Sequence, residues 1–103
     1  MEKNITIDDL DLKVRSYMFL KRNELFTLPD ICKKLDEGID ELLKTPRVTV
    51  KVSINILNAV KPYGYPSEKL VDEYLAAHKN DESITPENLS LWEECLQLLA
   101  LTE

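Results

Sequence analysis

The sequence predicts an all-α fold, and three observations lead there. Only two glycines, Gly38 and Gly64, occur in 103 residues, far too few for the turns of an all-β chain. Apolar residues recur at three- and four-residue spacing through most of the chain. Threonines followed by an acid or a proline stand at Thr6, Thr27 and Thr85, where they mark helix starts.

Thr6-Ile7-Asp8-Asp9 has the form of a capping box with Asp in place of Glu, and opens a short helical turn ending near Asp11. Leu12, Val14, Tyr17, Met18, Leu20 and Lys21 then trace the apolar face of a helix ending near Asn23. Thr27-Leu28-Pro29-Asp30 starts a second helix, which buries Ile31, Cys32 and Leu35 and is broken by Gly38. Ile39, Leu42 and Leu43 form a short third helix that stops at Thr45-Pro46.

Residues 47–60 carry two signals. Val48, Val50, Val52, Ile54 and Ile56 alternate with polar residues as a strand would, whereas Val50, Ile54, Leu57 and Val60 fit a helix. A single strand without a partner leaves its backbone groups unpaired, so the preferred reading is a turn at 46–50 and a helix at 51–61. Pro62-Tyr63-Gly64-Tyr65-Pro66 is a break. Beyond it lie a helix from Ser67 with Leu70, Val71, Tyr74 and Leu75 on one face, a loop at Lys79-Asn80-Asp81-Glu82-Ser83, and a last helix opened by Thr85-Pro86-Glu87. Trp92 reads as core in that helix.

Apolar residues make up 44% of the chain, enough for a packed core. Net charge is −6, and all of the excess acid lies in the second half. Residues 1–52 carry ten Lys/Arg and ten Asp/Glu; residues 53–103 carry three and nine. An acidic half repels phosphate, which argues against a surface that grips nucleic acid throughout while leaving room for a local basic patch. Cys32 and Cys95 are too few and too far apart for a secreted disulfide framework. Met1-Glu2-Lys3-Asn4-Ile5 holds no apolar signal core, and no run approaches the roughly 18 apolar residues of a membrane span. The expectation is a cytoplasmic protein with reduced thiols.

No reaction chemistry is legible. His78 is the sole histidine and reads as an exposed helical residue; the cysteines show no metal-ligand spacing. No glycine loop cradles phosphate and no Ser or Cys sits in a nucleophile elbow. Acid pairs such as Asp8-Asp9, Asp40-Glu41 and Glu93-Glu94 match a solvated helix face. The chain is therefore expected to be no enzyme, with no cofactor, no metal and no small-molecule substrate. Tyr17, Met18 and Phe19 cannot share one buried face, because successive helical residues turn about 100°. At least one must be exposed, and an exposed side chain of this type favours a protein interface.

The run Leu10-Asp11-Leu12, Val14-Arg15-Ser16 and Leu20-Lys21, with Asp40-Glu41-Leu42-Leu43-Lys44-Thr45-Pro46 further on, resembles the C-terminal domain of the bacterial RNA polymerase alpha subunit over roughly residues 5–60. Tyr17 and Lys21-Arg22 are most similar to Gram-positive members. The resemblance implies a compact bundle of short helices around a helix-hairpin-helix-like core, similar also to SAM domains. It implies minor-groove DNA binding and a landing surface for transcription regulators. On it, residues 1–61 form the resembling bundle, and 62–103 form an acidic two-helix extension that packs on it within one structural domain and that the family does not explain.

By this resemblance Arg15 takes the place of the arginine that enters the minor groove, and Lys21 that of a phosphate-contacting lysine. Met18 and Phe19 stand where the family has asparagine and cysteine, and neither can replace a sugar- or base-facing amide. Thr49 stands where the hairpin turn has glycine, and a β-branched residue hinders close approach to phosphate. Lys51 and Ser53 keep a weak phosphate contact on this reading. The expected function is a non-catalytic, transcription-associated module that binds a regulator or a polymerase subunit through Tyr17, Met18, Phe19 and Arg22, with DNA binding weakened or lost. A second reading keeps AT-rich DNA binding through Arg15, Lys21, Arg47, Lys51 and Ser53. A third is a purely structural helical interaction module.

Overall fold

Threonine side chains open four of the helical elements. Thr6 Oγ1 accepts from the Asp8 N–H at 3.3 Å, and Asp9 Oδ2 takes the Thr6 N–H at 2.9 Å. Thr27 and Asp30 repeat the reciprocal arrangement. Thr49 Oγ1 accepts the Val52 N–H at 3.1 Å and Thr85 Oγ1 the Asn88 N–H at 3.2 Å. Each satisfies a donor that a helix start leaves open, worth about 1 kcal/mol apiece.

The computed structural model describes residues 5–79 and 81–101. The helices are α1 (Val14–Arg22), α2 (Leu28–Leu35), α3 (Ile39–Leu43), α4 (Val50–Val60), α5 (Ser67–Ala77) and α6 (Pro86–Leu101). Short 3-10 turns lie at Ile7–Asp9 and Lys61–Tyr63. No strand occurs among the described residues, only one antiparallel bridge between Thr6 and Thr27 that ties the entry segment to the start of α2. The fold is an all-α bundle. Met1, Glu2, Lys3 and Asn4, on which the signal-core reading rests, and Asn80 in the expected loop lie outside the described residues.

The two-signal segment is helical. Its alternating valines and isoleucines do not share a face: Val52, Ile56, Leu57 and Val60 are buried, whereas Val50 and Ile54 are only half-buried. A helix pairs its interior backbone groups within itself, and no neighbouring strand occurs among the described residues to do so. Around α4 pack α1, α3, α5 and α6. The acidic second half belongs to this core, because Val71, Trp92, Cys95 and Leu99 join the same buried cluster as Ile7, Leu20 and Ile31. Trp92 is fully buried. Ser67 donates its hydroxyl to the Leu57 carbonyl at 2.7 Å, and the Lys61 ammonium donates to the Leu99 carbonyl near the end of α6. These bonds lock α5 and α6 to α4.

Two sequence expectations are corrected. The core-facing side of α1 is Ser16, Phe19 and Leu20, not Val14 and Met18, which are 76% and 45% exposed. The docking of α1 on α4 sets that rotation, and apolar spacing alone does not report it. Cys32, expected inside, is half-buried, whereas Ile31 and Leu35 are buried as expected.

Candidate docking surface

Helix α1 starts without a side-chain cap of its own. Its first turn is instead anchored by Asn55 of α4, whose Oδ1 accepts the Lys13 N–H at 2.9 Å. At its other end Asn23 Nδ2 donates to the Phe19 carbonyl at 2.9 Å. So held, α1 presents Arg15, Met18 and Arg22 outward at i, i+3 and i+7, one stripe of a helix.

The turn between α3 and α4 forms the opposite wall. Arg47 adopts a left-handed conformation with φ 70°, which is uncommon for a residue with a Cβ. Thr49, expected to hinder approach to a phosphate, sits in extended backbone with φ −123° and caps α4.

Between the walls runs a groove of about 280 Å³ lined by Val14, Arg15, Met18, Arg22, Arg47 and Thr49, with Phe19 and Val52 at its base. None of its lining residues is acidic. Among the described residues, Arg15, Arg22 and Arg47 form no ion pair. Arg15 is exposed rather than tied to Asp8 or Asp11. Asp8 is engaged elsewhere, accepting the Tyr17 hydroxyl at 2.8 Å, and that bond raises the Tyr17 pKa. The groove thus offers three forked cationic donors beside exposed apolar side chains, a combination suited to carboxylate or phosphate together with a hydrophobic group.

The remaining candidates divide. Lys21 and Tyr17 lie together on a neighbouring face with Asp8 and Phe26, the Lys21 ammonium 6.0 Å from the Tyr17 ring centre. Lys51 is exposed in the first turn of α4 but does not line the groove. Two candidates are withdrawn. Ser53 is fully buried and donates its hydroxyl to the Thr49 carbonyl at 3.0 Å, so it cannot meet a phosphate. Phe19 is 5% exposed and packs in the core beneath the groove, so it is no surface anchor. Val14, which the sequence reading placed inside, joins the site; its signal was the polar Ser16 on the opposite side of the helix.

His78 also differs from its expected exposed state. Its Nε2 lies 2.8 Å from Asp40 Oδ1 on α3, and its Nδ1 3.0 Å from Asp81 Oδ2 and 2.8 Å from Ser83 Oγ. The Ser83 hydroxyl reaches Asp81 Oδ1 at 2.6 Å. Hydrogen bonds to Asp81 and then Asp40 raise the His78 pKa above its ordinary value. Through these contacts the cluster forms a latch between α3 and the loop before α6.

Cys32 and Cys95 are free thiols. Burial pushes Cys95 up to about 11, and burial with Asp36 nearby raises Cys32, so neither is an activated thiolate. Among the described residues no His/Cys/Asp/Glu group could hold a metal ion, and no helix is long and apolar enough to cross a membrane. No protein-family model, no curated protein and no solved structure matches the chain.

Proposed function

We propose that the chain is a non-catalytic, transcription-associated docking module of the alpha C-terminal-domain type. Its groove between α1 and the turn at 44–49 takes a transcription regulator or an RNA polymerase subunit in the cytoplasm, and its hold on DNA is weak or lost. The observation that carries this reading is the convergence of Arg15, Arg22 and Arg47 on a groove whose rim holds the exposed Val14 and Met18. Apolar rim residues beside arginine are the composition of a protein interface. Loss of Ser53 as a phosphate donor and a net charge of −6 both disfavour DNA.

One observation favours the DNA reading. Arg15 is exposed and unpaired among the described residues, as a minor-groove arginine must be. Two measurements separate the readings. Purified bacterial RNA polymerase is passed over the immobilised full chain and over its Arg15→Glu/Arg22→Glu variant. An AT-rich duplex is titrated into the free protein at low and moderate salt. The docking reading expects groove-dependent retention of polymerase and little duplex binding. Steeply salt-dependent duplex binding that Arg15→Ala abolishes supports the DNA reading instead.

A further inference from the structure

We infer that the occupant of the Arg15–Arg22–Arg47 groove is an acidic protein segment with a bulky apolar anchor, presented as a helix. The inference rests on the reading of this groove as the docking site and names the chemistry of what docks.

The spacing of the cations sets the length. Arg15 and Arg22 are seven residues apart on α1, which places them about 10 Å apart along the helix axis. Carboxylates at i and i+7 of a partner helix match that distance. Between the two arginines sits Met18, 45% exposed, with Val14 at 76% beyond it. A leucine or phenylalanine at i+3 or i+4 of the same partner helix falls on that apolar strip. Methionine is unbranched and adapts to the shape it meets. Arg47 approaches from the facing wall and completes a cationic rim around the apolar strip.

The charge distribution points the same way. The chain carries 19 Asp/Glu against 13 Lys/Arg, yet no acid lines the groove. Neither α5 nor α6, which bring most of the excess acid, contributes a lining residue. An acidic partner is therefore repelled by the second half and drawn to this face, a steering that fixes orientation as well as encounter rate. A phosphate backbone would satisfy the arginines but leave Val14 and Met18 without use, and the buried Ser53 hydroxyl offers it nothing.

The test uses the full chain and a short fluorescent helix-forming peptide with Glu at i and i+7 and Leu at i+3 and i+4, followed by fluorescence anisotropy. The peptide is expected to bind, and its Leu→Ala and Glu→Gln forms each to bind at least about fivefold more weakly. Arg15→Glu/Arg22→Glu is expected to weaken binding by at least about tenfold. Met18→Ala weakens it about threefold, and supplies the answer if the double variant does not fold. Equal binding of the Leu→Ala peptide overturns the inference, because attraction of charge alone then explains the site. Tighter binding of an AT-rich duplex, or self-association that Arg15→Glu abolishes, also overturns it by naming a different occupant. If polymerase retention depends on the groove arginines but the peptide does not bind, this inference falls and the docking reading stands. If the peptide binds and polymerase is not retained, the transcription reading falls and this inference stands.

Discussion

Asn55 Oδ1, half-buried on α4, accepts the backbone N–H of Lys13 at 2.9 Å from 42 residues away in sequence. The bond does for α1 what a local cap does for α2 and α4. It ties the start of α1, the helix that carries Arg15 and Arg22, to α4.

Asn55→Ala removes that acceptor. The expected cost is about 1 kcal/mol, or roughly 5 °C in thermal midpoint for a domain of this size. Urea unfolding with an unchanged slope checks that the loss lies in the native contact. Peptide binding at the groove should weaken in parallel, because the wall carrying Arg15 is no longer pinned.

Arg15→Glu and Arg22→Glu act in the opposite sense. Both residues are exposed and unpaired among the described residues, so stability should stay within about 0.5 kcal/mol of the parent. Binding should fall while circular dichroism and the urea midpoint do not.

Arg47→Gly separates strain from charge. Glycine accepts φ 70° without the penalty a Cβ brings. Relief of that strain outweighs the larger unfolded-state freedom of glycine, so stability should rise by up to about 1 kcal/mol. Groove binding should still weaken, since a guanidinium is gone. Arg47→Lys keeps strain and charge alike and should leave stability unchanged.

Much of this fold was legible. Thr6, Thr27 and Thr85 marked helix starts correctly, and Gly38, with φ 102°, ends the run after α2. The limits were those of local signals. Apolar spacing predicts a face of α1 one step out of phase, because Val14 and Met18 are apolar yet exposed, and only contact with α4 decides the rotation. Arg15 and Arg22 could be placed on one stripe from spacing alone. That Arg47 joins them depends on a left-handed backbone no residue type announces. His78, Asp81 and Ser83 stand close in sequence, but Asp40, the partner that makes a latch of them, lies 38 residues away.

The His78 latch gives a pH dependence. Its folded pKa is raised above the ordinary 6.5 by hydrogen bonds to Asp81 and Asp40. Its contribution is therefore complete below that unfolded value and is lost as pH rises through the folded one. Stability should decline as pH rises above 6.5 in the parent, and not in His78→Asn. Asp81 works in the other direction. Ser83 holds its carboxyl below the usual range, so its contribution is present above the unfolded pKa and lost as pH falls through the folded one. Urea midpoints followed above pH 6.5 report the His78 limb, and those followed below pH 3.8 report the Asp81 limb.

Trp92 is the only tryptophan; it is fully buried, its ring centre 5.3 Å from that of Tyr74, and its indole N–H finds no acceptor among the described residues. Trp92→Ala should cost about 3–5 kcal/mol, enough to unfold much of the population. Trp92→Phe removes the unpaired donor while keeping most of the ring, and should cost far less. Far-ultraviolet circular dichroism with urea distinguishes the two.

The most direct test of the docking surface is amide chemical-shift mapping of the labelled full chain as the acidic, leucine-anchored peptide is added. Shifts concentrated at residues 14–23 and 46–52, with α5 and α6 unmoved, are the expected result. Shifts centred on α6, or none at saturating peptide, contradict it.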